Sequence, residues 1–103
     1  MAKGYWVAFA DVHDPQGYEA YRKANAAAFA KYGARFLVRG GRFEAPEGKP
    51  RSRIVVIEFP SYEAALACYH SPEYQAAMAL RQGKSTMDLA IVEGWDGPQP
   101  GES

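Results

Sequence analysis

The chain contains few of the residues that usually carry metal binding, redox chemistry or nucleophilic catalysis. Its 103 residues include one cysteine and two histidines, and no C-x-x-C or H-E-x-x-H spacing is present. A single cysteine cannot form an internal disulfide, and it is typical of a reducing cytoplasm. The glycine-rich stretch "RGGRFEAPEG" lacks the Walker lysine and the dinucleotide spacing. We therefore expect no metal and no other cofactor.

The sequence also lacks an excess of either charge and has no long apolar run. Twelve Lys and Arg residues balance twelve Asp and Glu residues, and no basic block indicates a surface for nucleic acid. The apolar run near the N-terminus is short and is interrupted by Asp11, which predicts neither a signal peptide nor a membrane span. These features predict a cytoplasmic protein that binds neither nucleic acid nor a membrane.

What the sequence does contain is a regular alternation of strand and helix patterns, separated by Gly and Pro. Strands are expected at 5–12, 34–40, 52–60 and 86–95, and helices at 15–32 and 61–82, the second broken by a Ser-Pro pair. The order β-α-β-β-α-β predicts an α+β, ferredoxin-like fold with a four-stranded antiparallel sheet and both helices on one face. We expect one domain over residues 1–95 and a flexible tail over residues 96–103.

Both faces of the predicted sheet are apolar. In the third strand, Val55, Ile57 and Phe59 alternate with Ile54 and Val56, and the first and fourth strands show the same pattern. Two helices can cover only one face, and the other face would be a larger apolar patch than soluble monomers expose. A second copy of the chain is the natural cover, and two such sheets packed face to face close into a barrel. The sequence thus predicts a homodimeric α/β barrel.

Three stretches carry a resemblance to a known family: "FLVRGG", "VVIEFPSYEAALACYHSPEYQAAMALR" and "LAIVEG". Together they resemble the small bacterial proteins of the domain of unknown function 1330 family, within the dimeric α/β-barrel superfamily, and the resemblance extends from Tyr5 to about Trp95. It implies a ferredoxin-like dimer without an established activity. Wider superfamily members include cofactor-independent quinone-forming monooxygenases, haem-degrading enzymes and muconolactone isomerases, which commonly place a ligand between helices and sheet.

The stretch "ALACYHSPEYQ" contains a cysteine and a histidine that could suggest a catalytic pair. Cys68 and His70 are two residues apart, and such residues do not face each other on a helix. Pro72 prevents the preceding helix from continuing smoothly, and Ser71 is a good cap for a new one. We therefore interpret this stretch as a joint between two helices, with Cys68 as a small buried hydrophobic residue.

Five residues are candidates to line a ligand site between the helices and the sheet: Asn25, Phe29, Arg39, Tyr69 and His70. The Asn25 amide either bonds backbone or water, or orients a ligand. Arg39 binds a ligand carboxylate or a glutamate of a partner subunit. His70 either points to solvent or bonds backbone, or it reaches the ligand as a contact or proton shuttle. Phe29 and Tyr69 are core residues that would also suit a flat ligand.

These features favour a small cytoplasmic homodimer of uncharacterised activity that binds a small apolar or aromatic ligand. The alternative is a cofactor-independent monooxygenase or isomerase of the dimeric α/β-barrel type. The sequence does not distinguish these two functions, because no catalytic constellation can be recognised in it.

Overall fold

The structure, a computed structural model, describes residues 2–102. The elements follow in the order β1 (Gly4–Val12), α1 (Pro15–Lys31), β2 (Arg35–Arg39), β3 (Arg53–Phe59), α2 (Tyr62–His70), α3 (Pro72–Ala79) and β4 (Ser85–Glu93). The strands pair antiparallel in the order β2-β3-β1-β4. This confirms the predicted α+β, ferredoxin-like fold. Met1 and Ser103, the ends of the predicted domain and tail, lie outside the described residues.

Helix α1 begins and ends where its sequence signals predict. The Asp14 carboxylate accepts a hydrogen bond from the Gly17 amide at 3.0 Å, and Pro15 occupies the first turn, where a missing amide hydrogen costs nothing. The helix ends at Lys31, and Gly33 then adopts a positive φ of 72°, which a residue without a Cβ tolerates. No helix within residues 2–102 is long and apolar enough to cross a lipid bilayer.

The end of the last helical segment differs from the prediction. We expected a helix as far as Gln82, but α3 ends at Ala79 and short turns follow. The amides of Leu80 and Arg81 bond the carbonyl oxygens three residues back, which tightens the final turn. Gly83 then adopts a φ of 75° and directs the chain into β4.

The helices cover one face of the sheet and leave the other uncovered, as the alternation of side chains along the strands predicts. The helices cover the inner face, where the β1 and β3 side chains of Trp6, Ala8, Ala10, Ile57 and Phe59 are buried. Within the described residues no helix covers the outer face, and its central side chains are half-buried within the single chain: Tyr5, Val7, Phe9, Ile54 and Val56. Val38 and Val92 extend this outer apolar face and are exposed.

Trp6 is the centre of the core under the helices. Its side chain is 1% exposed, and its ring contacts Phe29, Phe59 and Tyr74 at centroid distances of 5.3, 5.3 and 4.8 Å. The indole nitrogen donates to the Ala65 carbonyl at 2.9 Å. A single side chain thus links β1 to both α1 and α2, which fixes the position of the helices over the sheet.

Candidate functional site

The segment around Cys68 is a joint between two helices. The Ser71 hydroxyl donates to the Cys68 carbonyl at 2.7 Å and accepts from the Tyr74 amide at 3.1 Å. One side chain therefore ends α2 and caps α3, while Pro72 occupies the first turn of α3. His70 lies at the end of α2 and is exposed.

Cys68 is fully buried and is not activated. Burial raises the pKa of its thiol to about 12, and the negative charge of Glu73 adds to the effect, because both disfavour the thiolate. The sulfur instead lies 3.8 Å from the Ala28 carbonyl oxygen, to which the thiol donates. A reactive cysteine needs the opposite environment, so the structure gives Cys68 a packing role.

The first prediction is that iodoacetamide labels Cys68 in the native protein at pH 7.5 at least about a hundredfold more slowly than in urea-unfolded protein. Burial blocks access, and a pKa of about 12 leaves far less thiolate than the ordinary pKa of roughly 8.5. Mass spectrometry of quenched time points measures both rates in the same preparation. Labelling of the native protein as fast as that of the unfolded chain would contradict the packing role.

A cavity of about 40 Å³ lies between α1 and the inner face of the sheet. All four strands and one side of α1 contribute to its walls, which are mostly aromatic or aliphatic. The main apolar wall residues are Trp6, Phe29, Phe36, Val55, Met87 and Leu89. Among residues 2–102, no carboxylate side chain lines it. In this part of the chain, no three His, Cys, Asp or Glu side chains cluster as metal ligands either.

The α1 side of the cavity carries polar groups on Tyr18, Tyr21, Arg22 and Asn25. Asn25 is only 8% exposed and lines the cavity one turn after Tyr21, because residues four apart share a helix face. The Tyr21 and Tyr74 hydroxyl groups lie 2.7 Å apart in the core. Burial raises the pKa of Tyr21, and the neighbouring Tyr74 raises it further. Tyr21 therefore stays a neutral phenol at physiological pH.

Two arginines reach the cavity from adjacent strands. Arg39 on β2 places its guanidinium carbon 4.3 Å from the Phe36 ring centroid, a stacking arrangement that holds the side chain in place. Arg53 on β3 packs against Gly40, at the position that a Cβ of Gly40 would occupy. Gly40 has a positive φ of 69°, a backbone conformation that glycine adopts without strain.

A third arginine lies where the cavity meets the surface. Arg22 of α1 forms an exposed ion pair with Glu19 at 3.5 Å, a type of pair that contributes little free energy. Together with Tyr18 and Arg53, it lines both the cavity and an outer groove of about 140 Å³. These three side chains therefore form the boundary between the inner cavity and the outer groove.

The structure brings three of the five predicted site residues together. Asn25, Phe29 and Arg39 line the cavity. Tyr69 does not: its ring contacts Trp6 at 5.8 Å, and its hydroxyl lies 3.5 Å from the Met78 sulfur. Because Trp6 itself lines the cavity, Tyr69 is one ring removed from it.

His70 is also absent from the cavity wall, so it does not meet Asn25 there. Cys68 faces the core, and a residue two positions later points about 200° away around a helix axis, so His70 faces solvent. Conversely, Arg53 was not among the predicted site residues. The sequence does contain a signal for Arg53. It lies two and four residues before Val55 and Ile57, and alternate residues of a strand share a face, so Arg53 is on the same inner face as these core residues.

Comparison with known proteins identifies the sequence family. The family model described as domain of unknown function (DUF1330) matches residues 3–95, which confirms the resemblance found in the sequence. No curated protein has a sequence that matches the chain.

Similar folds occur among solved structures. The RPA0582 protein of unknown function from Rhodopseudomonas palustris superposes with a TM-score of 0.72 at 17% identity, covering 93% of this chain and 85% of its own. SnoaB, a cofactor-independent oxygenase from Streptomyces nogalater, has a TM-score of 0.61 at 16% identity, with 94% and 97% covered. A dimeric protein of unknown function and ferredoxin-like fold from Bacteroides fragilis has a TM-score of 0.57 at 15% identity, with 88% and 95% covered. At these identities the likeness shows the fold alone.

Proposed function

The chain belongs to the DUF1330 family, whose function is unknown, and we propose that it binds a small, mainly apolar or aromatic ligand in the cavity between α1 and the sheet. The observation that carries the proposal is an aromatic-walled cavity with a nearly buried amide, Asn25, at its wall. Ligand sites are typically apolar cavities with a few placed polar groups.

The size of the cavity limits the ligand to a small molecule. About 40 Å³ exceeds the roughly 10–15 Å³ that one water needs, but it is smaller than a cavity of about 150 Å³ that admits benzene. A single ring therefore requires the inner cavity to join the adjoining groove of about 140 Å³. Movement of the Tyr18 and Arg22 side chains at their boundary would join them, with Arg53 remaining in place. The proposed ligand consequently has one ring at most.

The second prediction uses Trp6 as a reporter of the cavity. The chain has two tryptophans, so Trp95→Phe leaves only the indole that lines the cavity. We expect toluene, benzamide or benzoate to change the Trp6 emission saturably. Ala8 is buried in the cavity wall, and Ala8→Leu should abolish this change by filling the space. Fluorescence titration of the two variants measures the effect.

Ala27→Leu is the matched control, because it makes the same substitution at an exposed position of α1. It should titrate like the parent. Ala8→Val is a smaller filling variant for the case in which overpacking by leucine destabilises the fold, and circular dichroism establishes that each variant is folded. If none of the three compounds changes Trp6 emission saturably, the proposed ligand site is wrong.

Cofactor-independent oxygenation or isomerisation is a second candidate function. It is supported by the neutral phenol of Tyr21 and the amide of Asn25 beside one apolar cavity, an arrangement that can orient a substrate, and by the activity stated for SnoaB. Mass spectrometry of a bound phenolic probe after incubation in air tests it. Recovery of the probe with its mass and its chromatographic retention time both unchanged argues for binding without turnover, because oxygenation changes the mass and isomerisation changes the retention time.

The functional unit that we propose is a homodimer in the cytoplasm. The uncovered apolar face of the sheet supports self-association, as does the dimer stated for the Bacteroides fragilis neighbour. A buried free thiol at Cys68 is compatible with a reducing compartment. The proposal includes no nucleic acid or membrane partner.

A further inference from the structure

We infer that the ligand carries a carboxylate, which Arg39 and Arg53 bind at the mouth of the cavity while a single ring or short apolar group occupies the cavity and the groove joined to it. This inference rests on the proposed ligand-binding function and adds the chemical class of the ligand. It assigns a role to Arg53, which the sequence patterns did not select.

The register of the sheet places the two arginines beside each other. Arg39 of β2 pairs with Val55 of β3, and Arg53 lies two residues before Val55 on the same strand. Arg39 and Arg53 are therefore diagonal neighbours on one face, about 7–8 Å apart at the backbone. Long side chains at this separation can reach the two oxygens of a single carboxylate, which is the geometry that guanidinium groups recognise best.

Neither arginine has an acidic partner in the described chain. None of the ion pairs within residues 2–102 includes Arg39 or Arg53, and no carboxylate in that range lines the cavity. Arg22 lies at the same opening, where its charge is paired with that of Glu19. The positive charges of Arg39 and Arg53 repel each other at this opening. A bound anion would remove this repulsion, whereas a neutral ligand would not.

The two guanidinium groups are also positioned in advance. Arg39 stacks on Phe36, and Arg53 occupies the space left by the missing side chain of Gly40. Held side chains lose less conformational entropy when they bind, which favours affinity. Both lie on the inner face of the sheet. The face that a second copy would cover is the opposite one, so an acidic residue of the partner is not their natural counterion.

The third prediction compares benzoate with benzamide, which has nearly the same shape but no charge. Calorimetry at low salt should show benzoate binding at least about tenfold more tightly, because hydrogen bonds to charged groups are worth roughly ten- to hundredfold in affinity. Arg53→Gln and Arg39→Gln should each remove most of this preference. Added salt should weaken benzoate binding only.

Arg35→Gln is the matched control, because it removes the same charge from the same strand as Arg39. Arg35 pairs in register with Glu58 and lies outside the cavity wall. It should preserve the preference for benzoate. Arg53→Lys keeps the positive charge but not the planar guanidinium group, so it should retain part of the preference for benzoate. Circular dichroism checks that each variant folds.

The outcomes separate this inference from the function on which it rests. If both compounds bind equally, the ligand site stands and the carboxylate inference is overturned. If neither binds, both are overturned. If benzoate is preferred but Arg53→Gln and Arg39→Gln behave like Arg35→Gln, the assignment of these two arginines is wrong.

Discussion

Trp6→Ala is expected to lower the free energy of unfolding by about 3–5 kcal/mol, the range found when large aromatic side chains are removed from well-packed cores. The side chain is almost completely buried and contacts aromatic rings of α1, β3 and α3. Its removal would also leave the Ala65 carbonyl without its donor, which adds a desolvation cost. Urea titration followed by circular dichroism measures this fourth prediction.

Two further variants locate the source of the effect. Trp6→Phe keeps a ring but loses the hydrogen bond to Ala65, so its loss of stability should fall well below that of Trp6→Ala. Trp95 is 72% exposed, and Trp95→Ala should change stability by less than about 0.5 kcal/mol at equal protein concentration. If Trp6→Ala costs less than about 1 kcal/mol, Trp6 is not the centre of the core.

The parts of the fold that follow from local rules could be predicted from the sequence. The alternation of Val55, Ile57 and Phe59 with their neighbours determines which side of β3 is buried, since successive side chains point to opposite faces. The Ser71-Pro72 pair similarly determines where the second helix breaks, because proline removes a helical hydrogen bond and serine caps the new start. Both features depend only on residues adjacent in sequence.

The candidate site could be predicted only in part, because it depends on how elements are paired and rotated. Arg39 and Arg53 are diagonal neighbours only through the β2–β3 register. This register contains an irregularity between Phe36 and Val38, which the sequence patterns do not predict. The exposure of His70 follows from Cys68 facing inward. The helical spacing shows that His70 and Cys68 point in different directions. Which of the two faces the core is determined only by the way α2 packs on the sheet.

The outer face of the sheet explains why a single chain would be an incomplete unit. The molecule measures only 16 Å along its shortest axis, which corresponds to one layer of helices on one sheet. Val7 lies at the middle of the outer face, directly between Val56 of β3 and Ala90 of β4. Covering these side chains with the same face of a second copy would remove apolar area from water on both chains, the main driving force for association.

The fifth prediction is that Val7→Asp raises the dimer dissociation constant at least about a hundredfold. An unpaired charge buried in an interface costs several kcal/mol, every 1.4 kcal/mol is a factor of ten, and two-fold symmetry introduces the charge twice. Analytical ultracentrifugation at micromolar concentration should show a dimer for the unmodified chain and a monomer for the variant.

Two companion variants make this result specific to the outer face. Ala27→Asp places the same carboxylate on the exposed side of α1, away from the sheet, and should remain dimeric. Val92 is already 48% exposed in the single chain, so Val92→Asp tests the same face with little risk to folding if Val7→Asp does not fold. A well-folded monomer of the unmodified chain at micromolar concentration would refute the dimer. Dimers that survive both outer-face substitutions would move the interface elsewhere, because an apolar contact across this face could not accommodate two new carboxylates.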